Sequence, residues 1–247
     1  MEKPSETQEQ EPSSTSSPDH QNWIAEQDLL REKLIREDSF TWKIPEEGSS
    51  DSEEGLLRYV GGVDISFSKD GASMACGTLV VLDLRTLQVV YEDFSLAPIL
   101  LEILEKMKKS GSSFYPQLLM VDGNGFGLAC HLGVEANLPT IGIGKNLHHV
   151  DGLNQSRVKD LLEAGENSCK DFFNLVGCSG HIWGAAMRST QGSIKPIFIS
   201  IGHRISLQTA IKLVQMTCKY RVPEPIRQAD IRSRDYIRKL KINTRMK

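Results

Sequence analysis

Leu118-Leu-Met-Val-Asp122-Gly-Asn-Gly125-Phe-Gly127-Leu-Ala-Cys-His131 is the stretch whose reading decides the fold. Its first four residues form an apolar run short enough for a buried strand, and the run ends in a carboxylate. Three glycines then take the backbone through a tight turn, and Leu128, Leu132 and Ala136 recur at helical spacing on one face. A carboxylate just past a buried strand is costly unless it is paired, hydrogen-bonded or bound to a cation. Asp122 therefore either caps its own turn through backbone amides, as Asp before Gly often does, or serves a site. The residues upstream bear on that choice.

Tyr59-Val-Gly-Gly-Val-Asp64-Ile-Ser-Phe67 is rich in strand formers and breaks at Lys69-Asp-Gly71, a hairpin signal. Ala75 to Leu84 reads as a second strand, and Gln88 to Phe94 as a third after a short turn at Arg85-Thr-Leu87. Two hairpins in succession give an antiparallel meander. A helix at Ile99–Lys109, the Leu118–Val121 strand, a helix at Gly127–Ala136 and a strand at Thr140–Ile143 then follow the rhythm of βαβ crossovers. Further strands are expected around Gly184–Arg188 and Pro196–Ile201. A helix from the N-cap Ser206 to Tyr220 should turn Leu207, Ile211, Val214 and Cys218 inward, with Pro223 and Pro225 stopping it. A last basic helix spans roughly 226 to 240. The fold class is α/β: an antiparallel three-strand meander, then parallel strands, in one mixed sheet flanked by helices.

The flanks differ in character. Residues 1–20, rich in Ser, Glu, Gln and Pro, have too little apolar content to offset ordering entropy and are expected to be disordered. Trp23, Ile24, Leu29, Leu30, Leu34 and Ile35 predict an amphipathic helix, and residues 46–55 an acidic connector. The main domain is expected over 21–240, with a basic tail at 241–247. The net charge of -3 hides an asymmetry: residues 1–60 carry 15 acidic and 6 basic side chains, residues 219–247 only 3 acidic and 10 basic. That basic end suits a polyanionic partner, or is simply a solvated face. Five cysteines without Cys-x-x-Cys spacing favour reduced thiols over a disulfide or zinc framework. No apolar run is long enough to span a membrane and no signal-peptide core opens the chain, so a soluble protein of cytoplasm and nucleus, nucleolus included, is expected. Nothing in the sequence specifies an oligomeric state.

Alternation along the first strand puts Asp64 and Ser66 on one face and Val63 and Ile65 on the other. If that strand neighbours the one ending in Asp122, the two carboxylates converge on one sheet edge. Such a pair offers hard oxygen ligands with room for water and phosphate, which suits Mg²⁺. From spacing alone, two unrelated polar strand positions remain open. His148 and His149 are adjacent, would point apart on a strand, and are not read as a metal pair. Gly123-Asn-Gly125-Phe-Gly127 lacks the Gly-x-Gly-x-x-Gly spacing and the ribose-binding acid of a dinucleotide loop.

Gly-Gly-Val-Asp64-Ile-Ser-Phe, Val-Asp122-Gly-Asn-Gly, Leu138-Pro-Thr-Ile-Gly-Ile-Gly-Lys145, Ile201-Gly-His203-Arg204-Ile-Ser and Tyr220-Arg-Val-Pro-Glu-Pro-Ile-Arg-Gln-Ala-Asp230 resemble the endonuclease V family, in that order across residues 57–235. The resemblance implies a ribonuclease-H-like fold and an Mg²⁺-dependent endonuclease, with Mn²⁺ as a substitute ion. It implies cleavage at the second phosphodiester 3′ to inosine, leaving 5′-phosphate and 3′-hydroxyl ends. Vertebrate members look like RNA enzymes, so the implied partner is inosine-containing single-stranded RNA, with deaminated DNA as a second substrate. By position, Asp64 and Asp122 would be metal-binding catalytic carboxylates, Asp230 a further acid, and Lys145 a cation at the scissile phosphate or attacking water. Gly123 and Gly125 would let the backbone approach the flipped base, and His203 with Arg204 would contact substrate; His203 follows a strand, so it would touch phosphate or a carboxylate behind the site, or is simply a strand-end turn histidine.

The departures are equally specific. Similar proteins carry a Pro-Tyr wedge loop and a Phe-Arg-Glu catalytic glutamate between the third strand and its helix, whereas this chain runs Tyr91-Glu-Asp-Phe-Ser-Leu-Ala-Pro98-Ile-Leu-Leu-Glu102. A His-containing insert after the Asp-Gly-Asn-Gly turn is also missing. Asn146 stands where the family often has a second lysine. Glu92, Asp93 or Glu102 would be candidates to stand in for the glutamate, and none matches the motif. The rival expectation is therefore a catalytically impaired binder of inosine-containing RNA.

Overall fold

The computed structural model describes residues 28–46, 54–67, 75–96, 100–123, 127–164, 172–190, 193 and 195–245. The expected disordered tail, Trp23 and Ile24, the 69–71 turn, most of the acidic connector and Gly125 lie outside these residues. The described elements are β1 (Tyr59–Phe67), β2 (Ala75–Asp83), β3 (Val89–Ser95), α1 (Leu100–Lys109), β4 (Leu118–Asp122), α2 (Leu128–Ala136), β5 (Thr140–Gly144), α3 (Gln155–Ala164), β6 (Phe172–Val176), β7 (Ile182–Met187), β8 (Ile197–His203), α4 (Leu207–Thr217) and α5 (Glu224–Arg245).

The strands form one mixed sheet in the order β3-β2-β1-β4-β5-β8-β7-β6. The β1–β2 and β2–β3 pairs are the expected antiparallel meander, and β4 lies parallel to both β1 and β5. Beyond β5 the sheet turns antiparallel again through β8, β7 and β6. Each face is covered. Alternate strand residues such as Val63, Leu79, Leu119 and Val121 pack on Ile103, Leu104 and Met107 of α1 and Leu132 of α2. The other set, with Val60, Leu118, Met120, Ile141 and Ile143, packs on Ile211 and Val214 of α4 and Ile226 of α5. Covering both faces explains why β2 and β4 read as unbroken apolar runs rather than alternating ones. Among the described residues no helix is long and apolar enough to cross a membrane.

Ser206 caps α4 as expected, its hydroxyl accepting from the Thr209 amide at 3.3 Å. The prolines behave differently from expectation. α4 ends at Thr217, well before them, and Pro225 sits in the first turn of α5, where a missing N–H forfeits no helical bond. α5 also runs to Arg245, so the first part of the expected tail continues it. Two elements escaped the sequence reading. α3 has one fully buried anchor, Val158, over the residues whose burial is described, and β6 is an edge strand with only Leu175 buried. Neither carries enough apolar periodicity to declare itself.

The amphipathic helix expected at the N-terminal side is helical only over 28–32 among the described residues, with Leu30 buried and Leu29 exposed. Ile35 leaves the helix because its backbone serves the turn after β8. Its N–H donates to His203 Nδ1 at 3.3 Å and its carbonyl accepts from the Arg204 amide at 2.6 Å.

α5 seats on β1 through a glycine. A Cβ on Gly62 would overlap the backbone carbonyl of Pro225, which cannot rotate away. On Gly61, on the opposite face, it would meet chiefly the flexible tip of Leu119. Gly62→Ala should therefore lose roughly 1–3 kcal/mol by overpacking, clearly more than Gly61→Ala, in urea denaturation. Equal midpoints for the two variants would contradict this seating. A pH dependence also follows. Burial, joined by the charge of Arg204, lowers the pKa of His203, which is therefore neutral in the folded chain. Its contribution is complete above the unfolded value of about 6.5 and is lost as pH falls from there through the lowered folded value. Over that range the parent should lose stability more steeply than His203→Asn, and parallel curves would show that His203 is not the group responsible.

Candidate active site

The parallel pairing of β1 with β4 places Val63 opposite Val121. One step further, at the carboxyl ends of both strands, Asp64 lies beside Asp122, separated by roughly the 4.8 Å between neighbouring strands. Paired residues of parallel strands point to the same face, so both carboxylates follow Val60 and Gly62, or Leu118 and Met120, onto the side covered by α5. Crevices at the carboxyl ends of parallel strands are where open α/β sheets bind ligands.

Asp64 is only 7% exposed, and its partners explain how it is tolerated there. Oδ2 lies 2.9 Å from the Ser233 hydroxyl of α5 and 3.0 Å from that of Ser66 on β1, and the two hydroxyls are 2.7 Å apart. Among the described residues Oδ1 takes no hydrogen bond. Asp230 stands one helical turn before Ser233. Ala229, Arg232 and Tyr236 of α5 lean toward β2 and β3, and Ser233 lies over β1. Helical spacing then puts Asp230 on the opposite flank, toward β4. Its Oδ1 accepts from Arg234 at 2.6 Å.

Lys145, just past the end of β5, donates to Asp122 Oδ2 at 2.6 Å. Arg221 steadies that segment by donating to the Lys145 carbonyl at 2.8 Å and to that of Pro196 at 2.9 Å. Gly123 adopts φ +130°, which favours glycine, and faces open space. Its amide donates to the Ile143 carbonyl at 2.9 Å, continuing the ladder past Asp122.

The three acids considered as replacements for the missing glutamate are placed differently. Glu102 is exposed on α1, in the layer across the sheet. Asp93 accepts from Lys106 of α1 at 2.8 Å and from Tyr91 at 3.3 Å. Burial would raise its pKa, but Lys106, the Phe94 amide and Tyr91 together hold it below the ordinary carboxylate value. Glu92 alone shares the face of Asp64, where it is ion-paired with Arg232 of α5. Next to it Phe94 stacks on Tyr236 with ring centroids 4.5 Å apart.

His203 and Arg204 are set apart from this group. Thr140, at the amino end of β5, pairs with both Leu119 and His203, so His203 lies at the edge of the sheet opposite Asp122. Because β8 runs antiparallel to β5, a residue at its carboxyl end cannot reach the carboxyl ends of β1 and β4. Arg204 instead binds the Ser39 carbonyl at 2.7 Å and Asn137 at 2.8 Å, fastening the N-terminal segment. Sequence order had grouped them with the site; strand direction separates them.

Among the described residues no group of three or more His, Cys, Asp or Glu side chains stands ready to hold a metal ion. The donors available are the Asp64–Asp122 pair. They fit a hard divalent cation in chemistry: two carboxylates, each with one oxygen uncommitted among the described residues, and one of them already matched to a positive charge. Sequence reasoning put Ser66 on this face but missed its role, and missed Ser233. The position of Ser233 three residues after Asp230 on a predicted helix was the available signal.

Comparison with known proteins agrees over most of the chain. Residues 38–231 match the sequence profile of the family described as Endonuclease V. The chain is 41% identical over 243 residues to Endonuclease V of Mus musculus, covering 88% of this chain and 69% of that one. It is 39% identical over 244 residues to that of Homo sapiens, covering 88% and 83%. The fold is similar to the crystal structure of human ENDOV, with TM-score 0.79, 37% identity and coverage of 90% and 99%. Ciona intestinalis Endonuclease V, solved with a 24mer DNA containing an inosine followed by a ribo-adenosine, matches with TM-score 0.78, 30% identity and coverage of 91% and 100%. The chain, with its ribonuclease-H-like sheet, belongs to the endonuclease V family, whose members are nucleases.

Proposed function

We propose that this chain is an inosine-directed, Mg²⁺-dependent endonuclease of single-stranded RNA, with Mn²⁺ as an alternative ion and deaminated DNA as a second substrate. Cleavage falls at the second phosphodiester 3′ to the inosine and leaves a 5′-phosphate. The observation that carries this reading is Asp64 beside Asp122 at the ends of adjacent parallel strands, with Lys145 within 2.6 Å of Asp122. The inosine-containing DNA bound by the Ciona intestinalis protein supports the choice of base.

Asp64 and Asp122 would hold the divalent ion, which when bound supplies an acidified water and offsets charge on the leaving oxygen. Lys145 neutralises charge developing at the phosphate. Asp230 lies on the flank of α5 nearest this pair and adds negative charge beside it. The backbone at Gly123, with no side chain in the way, leaves space for an extruded base. On α5, Arg234 and Arg238 are about 70% exposed and, among the described residues, paired only with neighbouring acids of their own helix. Exposed pairs of that kind are weak, so either guanidinium can exchange its carboxylate for a phosphate.

A second reading, binding with impaired cleavage, is favoured by the surroundings of β3. Only residues 96–99 join β3 to α1, too few for a wedge loop and a Phe-Arg-Glu segment. Asp93 and Glu102 serve or face the opposite layer, and Glu92 is neutralised by Arg232. A site short of one carboxylate positions its attacking water poorly. The chain should therefore bind a single-inosine RNA yet cut it orders of magnitude more slowly than the mouse relative, with residual cutting abolished by chelator or by Asp64→Asn. Inserting a wedge and Phe-Arg-Glu segment after Ser95 should raise the rate steeply while leaving inosine-independent binding unchanged. Rapid metal-dependent cutting by the chain as it stands would refute the impaired reading and point to Glu92. A folded insert that still fails to cut would show that the missing segment is not what limits the rate.

A further inference from the structure

Among the described residues the carboxylate of Asp64 is held through one oxygen only, by two hydroxyls from different elements. Ser233 belongs to α5 and is fully buried; Ser66 follows Asp64 on the same face of β1. Each hydroxyl carries one proton. Three acceptors compete for those two protons: Asp64 Oδ2, the Asp230 carbonyl at 3.0 Å from Ser233, and whichever hydroxyl accepts across the 2.7 Å contact. Ser233 can donate to Asp64 while Ser66 donates to it, or Ser66 can serve Asp64 directly while Ser233 turns to the Asp230 carbonyl. In both arrangements Oδ2 receives a proton donor and Oδ1 is left for another partner. Threonine at position 78, opposite Asp64 across the β1–β2 ladder, is bonded to Cys76 instead and does not join this set.

We infer that Ser233 and Ser66 are positioning residues for the metal site: they pin Asp64 through Oδ2 and so present Oδ1, in one orientation, to a divalent cation. The inference rests on the metal reading proposed above. Three features support it. A buried carboxylate fixed by neutral hydroxyl donors keeps its charge for a cation, whereas an Arg or Lys partner would cancel it. The donors come from a strand and from a helix, so the side chain is held only when α5 is seated on β1. The contrast with the neighbouring acids is also direct: among the described residues Asp122, Asp230 and Glu92 each have a basic partner, and Asp64 has hydroxyls alone.

The test is calorimetric titration of the metal-free full chain with Mn²⁺, together with its melting temperature before metal is added. Ser233→Ala and Ser66→Ala should each weaken Mn²⁺ binding about tenfold, the scale of one hydrogen bond to a charged group. Ser66→Thr, which keeps the hydroxyl on a strand position, should bind within about twofold of the parent, since only loss of that bond is expected to matter. A purely structural role would lower the melting temperature without moving the affinity of the folded protein. If Ser233→Ala does not fold, the Ser66 pair decides. Parent-like Mn²⁺ affinity in the folded alanine variants overturns the inference, as does equal weakening by Ser66→Thr and Ser66→Ala. A parent chain that binds no Mn²⁺ overturns the metal reading itself, and this inference with it.

Discussion

The rest of the site depends on the close approach of α5 to β1, made possible where Gly62 leaves room for the Pro225 carbonyl. With the helix backbone against the strand, Ser233 reaches Asp64 at 2.9 Å, Arg232 reaches Glu92, and Tyr236 stacks on Phe94. The first contact falls on β1 itself, and the other two fall on β3, two strands further across the meander. The same seating brings Ala229 over Val80 and Leu82 of β2 and Ile226 into the core shared with Leu118 and Met120. One packing contact therefore positions acids that are about 166 residues apart in the chain, Asp64 and Asp230.

Charge is arranged around this contact in two ways. Glu92, Asp122 and Asp230 are each matched by a cation, whereas Asp64 is matched by hydroxyls. These pairs are partly exposed, so they hold the acids only weakly and give way to a cation or phosphate that competes for them. Lys145 is best placed for such a competition. Its ammonium lies 2.6 Å from Asp122 Oδ2, and beside a divalent ion held by Asp64 and Asp122 it would be available to neutralise charge on a phosphate.

Much of this could be read in the sequence, and the misses share a cause. Unbroken apolar runs located β2 and β4, alternation put Asp64 and Ser66 on one face, and glycine turns placed Asp122 at a strand end. These are local signals. The direction of β8 is not local, so His203 and Arg204 were grouped with an edge they do not share. α3 and β6 bury too few side chains to show a period. Ile35 left its expected helix because a tertiary contact with His203 claims its amide, and propensity yields to such contacts. Pro225, taken for a stop, opens a helix, since proline in a first turn and proline beyond a last turn look alike without the neighbouring boundaries.

The central claim is that Asp64 and Asp122 form one cation site under α5. Crystals of the full chain grown with Mn²⁺, measured at a wavelength where manganese scatters anomalously, test it directly. The account predicts one strong anomalous peak bridging the two carboxylates, with Lys145 withdrawn from Asp122 Oδ2 and the Ser66 and Ser233 hydroxyls still on Asp64 Oδ2. Peaks confined to exposed acids such as Glu105, with the Lys145–Asp122 pair intact, would contradict it.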